Sequence, residues 1–182
     1  MSDQVDVVAL VADLRAAGHT VAMAESLTGG LVCATLVDVP GASDVVRGAV
    51  VAYQPDVKSG LLGVDAELIA EHGTVNSEVA EQLAAGARTR LDATWGLGTT
   101  GVAGPGPAEG RPAGTVFVAV AGPDGVTSRR LDVPGAREDV RRAAVRAVLA
   151  DLHYRLGKNN GSTNVDAGKA KAREGDGDDR DA

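Results

Sequence analysis

The amino-acid sequence predicts a three-layer α/β/α domain around a mixed, mainly parallel sheet with a C-terminal antiparallel hairpin. Strand-like runs alternate with helical periodicities as far as Thr100, the pattern of a sheet covered by helices on both faces. Two later strand-like runs, Thr115–Ala121 and Val126–Val133, flank Gly122-Pro-Asp-Gly125, a turn sequence suited to a hairpin. The length of 182 residues suits one apolar core.

The elements follow in order. Val7, Leu10, Val11 and Leu14 recur at helical spacing between Asp3 and Gly18, with Ser2 or Asp3 as a cap and Gly18 as a stop. Thr20–Ala24 is a short β-rich run, and Ser26-Leu-Thr-Gly-Gly30 separates it from the helical stretch Leu31–Val37. Arg47–Tyr53 reads as a strand; Pro55 suits a first helical position ahead of the short helix Asp56–Leu62. Asp65–His72 and Ser77–Leu91 read as helices, capped by Asp65 and by Asn76 or Ser77, with Gly73 between them. Thr94–Thr100 is a strand feeding the loop Gly101-Val-Ala-Gly-Pro-Gly-Pro107. After the hairpin, a last helix over Arg137–Leu156 places Val140, Ala144, Ala147, Val148 and Leu152 on one face. From Gly157 to Ala182 apolar residues almost vanish, so residues 1–156 are expected to form the domain and 157–182 a disordered polar tail.

Composition narrows the function classes. A net charge of −7 argues against nucleic-acid binding, which needs a basic stripe to displace counterions from phosphates. No run approaches the roughly 20 apolar residues of a membrane span, and no basic segment precedes an apolar N-terminal stretch. The single cysteine, Cys33, excludes an intramolecular disulfide and a thiolate metal cluster, which fits a reducing, cytoplasmic compartment. His19, His72 and His153 show no metal-binding spacing, so no metal and no cofactor is expected.

Three constellations can carry chemistry. In Ala24-Glu25-Ser26-Leu27-Thr28-Gly29-Gly30 a strand ends and a helix begins, exposing a serine at the sheet's edge beside backbone amides that can hold an oxyanion or a phosphate. The same residues also serve as a plain helix cap and turn, so the pattern leaves nucleophile, anion site and cap open. Tyr53-Gln-Pro-Asp-Val-Lys58 puts a phenol at a strand end and an amine on the first turns of a helix. A lysine kept neutral by apolar neighbours can act as base for a serine, although most helix lysines are solvated and most tyrosines are packing residues. The third is Gly98-Thr-Thr-Gly-Val-Ala-Gly-Pro-Gly-Pro107 with Arg111 beyond it, where glycines let backbone approach a ligand and Thr99, Thr100 or Arg111 can reach phosphate or ribose. It is neither a Walker loop nor a dinucleotide fingerprint, because Pro105 and Pro107 block a helix there.

Taken together, AESLTGG at 24–30, YQPDVKSGLLGV at 53–64, TTGVAGP at 99–105 and RPAGTV at 111–116 resemble the CinA C-terminal family over about residues 5–156. The resemblance implies a nicotinamide-nucleotide amidohydrolase that converts nicotinamide mononucleotide to nicotinate mononucleotide and ammonia in pyridine-nucleotide salvage. It implies Ser26 as nucleophile assisted by Tyr53 and Lys58, with Glu25, Thr28, Gly29, Gly30, Thr100, Gly101, Gly104 and Arg111 toward the substrate and amides near Thr28–Gly30 toward the oxyanion. It also implies a nucleotide as the small-molecule partner and a homodimer or larger assembly. Two segments depart from the family pattern: Gln54-Pro55-Asp56 replaces Ser-Asn-Glu, and Gly106-Pro107-Ala108 replaces Asp-Gly-Gly. Longer family members carry a pyrophosphatase-like domain ahead of this region. The competing readings are a non-catalytic nucleotide-binding or partner module of the same fold, and an amidase or esterase for another small substrate.

Overall fold

The computed structural model describes residues 5–171, with side chains described as far as Lys158. Six helices and one 3-10 turn (Ala42–Asp44) surround five strands in the order α1 (Val7–Ala16), β1 (Val21–Glu25), α2 (Leu31–Val37), β2 (Val46–Val51), α3 (Pro55–Leu62), α4 (Ala66–His72), α5 (Ser77–Arg90), β3 (Trp95–Gly101), β4 (Thr115–Gly122), β5 (Gly125–Asp132) and α6 (Arg137–Lys171). The spatial order is β2-β1-β3-β4-β5. β1 pairs in parallel with both β2 and β3, while β4 pairs antiparallel with β3 and β5, so only β4 runs against the others. The predicted mixed sheet with its terminal hairpin is therefore present.

One face is covered by α1, α2 and α6, whose Leu10, Leu14, Leu36, Val148, Leu149 and Leu152 pack with Val21, Met23 and Leu97 of the sheet. On the other face Val79, Leu83 and Ala87 of α5 and Leu62 of α3 lie against Ala22 and Ala24 of β1. The run Trp95-Gly-Leu-Gly98 explains how α5 comes so close. A Cβ on Gly96 would stand 2.0 Å from the Ala84 carbonyl oxygen, and one on Gly98 would stand 2.2 Å from that of Ala80. Alternation along the strand sends Trp95 and Leu97 to the other face, into the larger core. A core made largely of Ala, Val and Leu can thus be thin on one side without voids, because backbone itself fills the gap.

Helix starts follow local hydrogen bonding. The Asp6 side chain accepts from the Ala9 N–H, so α1 begins at Val7, and Asn76 caps α5 in the same way through the Val79 N–H. The expected Ser2 or Asp3 cap lies outside the described residues. At the other end of the residues whose side chains are described, Leu156 is buried and Gly157 and Lys158 are exposed. The α6 backbone continues as helix to Lys171, and the remainder of the expected tail lies outside the described residues.

Candidate active site

Strand β1 sits between β2 and β3, so the chain leaves it toward one neighbour and returns beside it on the other. The C-terminal ends of parallel strands at such a switch point form a crevice that no crossover fills. Ser26 is the residue directly after β1, held there by its N–H on the Thr99 carbonyl at 3.1 Å. It opens onto a cleft of about 300 Å³ lined also by Leu27, Tyr53, Thr74, Val75, the loop 101–109 and Arg137.

Lys58 lies beneath this cleft with no solvent exposure. Pro55 starts α3 at its first position, which brings Lys58 under the end of β2. Its Nζ donates to the carbonyls of Ala52 at 2.8 Å and Tyr53 at 2.9 Å and lies 3.2 Å from Ser26 Oγ. Burial pushes the amine below the ordinary lysine value, and the Glu109 carboxylate opposes that shift. Once deprotonated, the amine keeps a hydrogen on each of the two carbonyls and leaves its lone pair for the serine hydroxyl to donate to. A buried lysine in hydrogen-bond contact with a partly buried serine that lines the cleft is an arrangement in which the amine can serve as base to the hydroxyl.

Tyr53 is half exposed, and its hydroxyl accepts from Arg137 Nη2 at 3.0 Å; Arg137 Nη1 also donates to the Gly104 carbonyl at 2.9 Å. Arg137, at the start of α6, therefore ties the phenol to the glycine-proline loop across the cleft mouth. Glu109 secures the far end of that loop. Its carboxylate accepts from the Thr74 Oγ1 at 2.8 Å and from the Thr74 N–H, while the Thr74 carbonyl accepts from Thr100 Oγ1 at 2.7 Å.

The structure brings Ser26, Tyr53, Lys58, Gly101 and Gly104 together and turns other expected site residues away. Glu25 is fully buried, and its carboxylate accepts the N–H groups of Gly30, Val32 and Cys33 at 2.9, 3.0 and 2.9 Å. It caps α2 from within the protein, a use that satisfies three amides no helix bond could reach. Gly30 thereby offers no amide to an oxyanion, and neither does Gly29, whose N–H bonds to the Ser26 carbonyl at 3.1 Å. Both glycines have left-handed φ, +60° and +93°, so their part is to shape the turn. Thr28 is buried with its hydroxyl on Thr99 Oγ1 at 2.8 Å, and Thr100 is buried against Thr74, so neither lines the cleft. Arg111 also lies outside the lining, in the bridge it makes with Ala108.

Sequence reasoning missed Arg137, Thr74 and Glu109. Tyr53 and Arg137 are 84 positions apart, and no local pattern couples them. Other nucleophiles and bases stand elsewhere. Burial, with Glu25 beside it, pushes the Cys33 thiol up, away from the thiolate form. His19 accepts from Trp95 Nε1 and His153 pairs with Asp13, so neither approaches Ser26. Among the described residues no cluster of His, Cys, Asp or Glu could hold a metal ion, and no helix is long and apolar enough to cross a membrane.

Fold and site thus define an α/β domain with a serine–lysine pair at the switch point of its parallel strands. Residues 5–156 match the CinA C-terminal domain, and the chain belongs to that family. It is 52% identical over 137 residues to a CinA-like protein of Frankia casuarinae, covering 75% of this chain and 31% of that protein. To a putative competence-damage inducible protein of Desulforamulus reducens it is 46% identical, covering 78% of this chain and 35% of the relative. The chain therefore spans about a third of the length of these curated relatives. Among solved structures, competence/damage inducible protein CihA from Agrobacterium tumefaciens superposes with a TM-score of 0.78 at 34% identity, covering 85% of this chain and 97% of that one. A CinA superfamily protein from Escherichia coli does so with a TM-score of 0.78 at 30% identity, covering 83% and 90%.

Proposed function

We propose that this domain hydrolyses the carboxamide of nicotinamide mononucleotide, giving nicotinate mononucleotide and ammonia. The observation that carries the reading is the contact of the buried Lys58 amine with the Ser26 hydroxyl at 3.2 Å. Family membership supports the substrate class, and the cleft supports its shape: it is open enough for a flat ring and a ribose, with the Arg137 guanidinium at its mouth for a phosphate.

Ser26 Oγ attacks the carboxamide carbon while its proton passes to neutral Lys58. The tetrahedral intermediate collapses as the C–N bond breaks and Lys58 returns that proton to the departing nitrogen, which leaves as ammonia. Water then attacks the acyl ester, gives its proton to Lys58, and Ser26 Oγ takes it back as the acid departs. Tyr53, steered by Arg137, orders the leaving group and the water at the open side of the cleft.

The test is ammonia release from nicotinamide mononucleotide, set beside free nicotinamide and the dinucleotide. Ser26→Ala should abolish turnover and keep nucleotide binding. Lys58→Ala should lose nearly as much, and the double variant little more, because groups that act as one unit are strongly non-additive. A folded Ser26→Ala protein that binds nucleotide and still releases ammonia near the parent rate would reduce Ser26 to a turn residue.

A further inference from the structure

The turn carrying Ser26 is held from two sides, and that hold leaves one cleft-facing residue with an amide to spare. Glu25 already occupies the amides at the start of α2, so that seven-residue helix has no N-terminal site to offer. The Gly29 N–H on the Ser26 carbonyl closes a four-residue turn with Leu27 and Thr28 at its centre. From α6, Arg141 Nε donates to the Leu27 carbonyl at 3.0 Å and its Nη2 to the Thr28 carbonyl at 2.7 Å. In a trans peptide the C=O and N–H point opposite ways. The Ser26 carbonyl, turned in toward Gly29, therefore sends the Leu27 N–H out of the turn. Among the described hydrogen bonds, Leu27 and Thr28 are the turn residues whose N–H has no acceptor. Thr28 is fully buried, whereas Leu27 lines the cleft beside Ser26.

We propose that the Leu27 backbone N–H stabilises the oxyanion formed when Ser26 attacks a carbonyl, and that Arg141 is the positioning residue that holds this amide in place. The proposal rests on the reading of Ser26 as a nucleophile. As the Oγ–C bond forms and the hydroxyl proton moves to Lys58, the carbonyl π pair moves onto oxygen, and the new charge needs a donor fixed beforehand. The residue after the nucleophile is well placed to provide it, since its amide is joined to the reacting side chain by one peptide unit. Arg141 lies outside the cleft lining and acts through the backbone alone. Its two bonds fix the next two peptide planes, so the turn cannot rotate the Leu27 amide away.

Backbone donors can be removed with proline. Position 27 is the second residue of the turn, which proline tolerates, so Leu27→Pro deletes the N–H and Leu27→Ala controls for lost packing. Relative to Leu27→Ala, Leu27→Pro should lose about 100-fold or more in kcat, the usual effect of removing one oxyanion donor, with KM within about threefold. Arg141→Met should lower kcat by about 10-fold with KM within about threefold when assayed below its own, lowered, melting transition, and Arg141→Lys should restore part of the kcat. A Leu27→Pro protein that folds and turns over as fast as Leu27→Ala overturns the proposal. Should Leu27→Pro fail to fold, a folded Arg141→Met with parent kcat overturns it instead.

Labelling of Ser26 by a fluorophosphonate, followed by mass spectrometry, separates this proposal from the substrate assignment, because the reagent's phosphoryl oxygen occupies the same oxyanion position. A parent protein that labels but leaves nicotinamide mononucleotide intact sinks the substrate alone, and the variants' labelling rates then decide the amide's role. A parent that neither labels nor turns over sinks both.

Discussion

Replacing Glu25 by glutamine asks whether this residue belongs to the substrate or to the fold. Its carboxylate accepts three N–H groups, two at Oε2 and one at Oε1, with no exposure to water. Glutamine keeps one acceptor oxygen, which can retain Gly30 and Val32, and turns an NH2 group against the Cys33 N–H. That leaves one buried donor facing another, at about 1–3 kcal/mol. The two retained bonds fall from charge-assisted to neutral strength, about 1 kcal/mol each. Relief from burying a charge offsets part of this loss, so the net cost is about 2–4 kcal/mol. In a domain of this size that lowers the melting temperature by about 5–15 °C. Thermal unfolding followed by circular dichroism, with steady-state kinetics below the transition, measures both effects. A Glu25→Gln protein that melts within about 2 °C of the parent but shows a tenfold higher KM would refute the capping role and return Glu25 to the substrate.

Three further outcomes follow from the geometry. If neutral Lys58 is the base, kcat rises with pH as the amine loses its proton, along a limb below the ordinary lysine value because burial lowers it. Glu109→Gln removes the charge that favours the protonated amine and moves that limb to lower pH; a kcat that falls, rather than rises, with pH through the limb would mean that Lys58 works as an ammonium. Gly98→Ala drives a methyl group into the α5 backbone and should cost about 3 kcal/mol or more, whereas Gly60→Ala, with open space around it in α3, should be neutral or stabilise by up to about 1 kcal/mol. Equal melting temperatures for the two would refute the backbone-contact account of the β3–α5 interface. Removing residues 157–182 should leave ammonia release intact and shift the melting temperature by no more than about 3 °C, and a larger fall would show that this segment docks.

What the sequence determined by itself is what short-range chemistry determines. Alternating periodicities named the strands and helices and the Gly122–Gly125 turn named the hairpin, whereas local pattern left Ser26, Tyr53 and Lys58 open and only the family resemblance singled them out as candidates. The expected helix cap shows the limit even locally: Asp6, close by in sequence, supplies what was assigned to residues further upstream. Only the tertiary structure decided which polar groups were free to act. Glu25, Thr28, Thr100 and the Gly30 amide look like ligand contacts in a one-dimensional pattern, yet each is consumed by a partner that folding brings near. Arg137, Glu109 and Arg141 carry no sequence signal, because their effect comes from crossing the molecule to Tyr53, Thr74 and the Leu27 and Thr28 carbonyls. Hydrogen-bond capacity is limited at each atom and burial removes water as the alternative partner. Availability for chemistry is therefore a property of the packed chain, while residue type and spacing establish only the candidates.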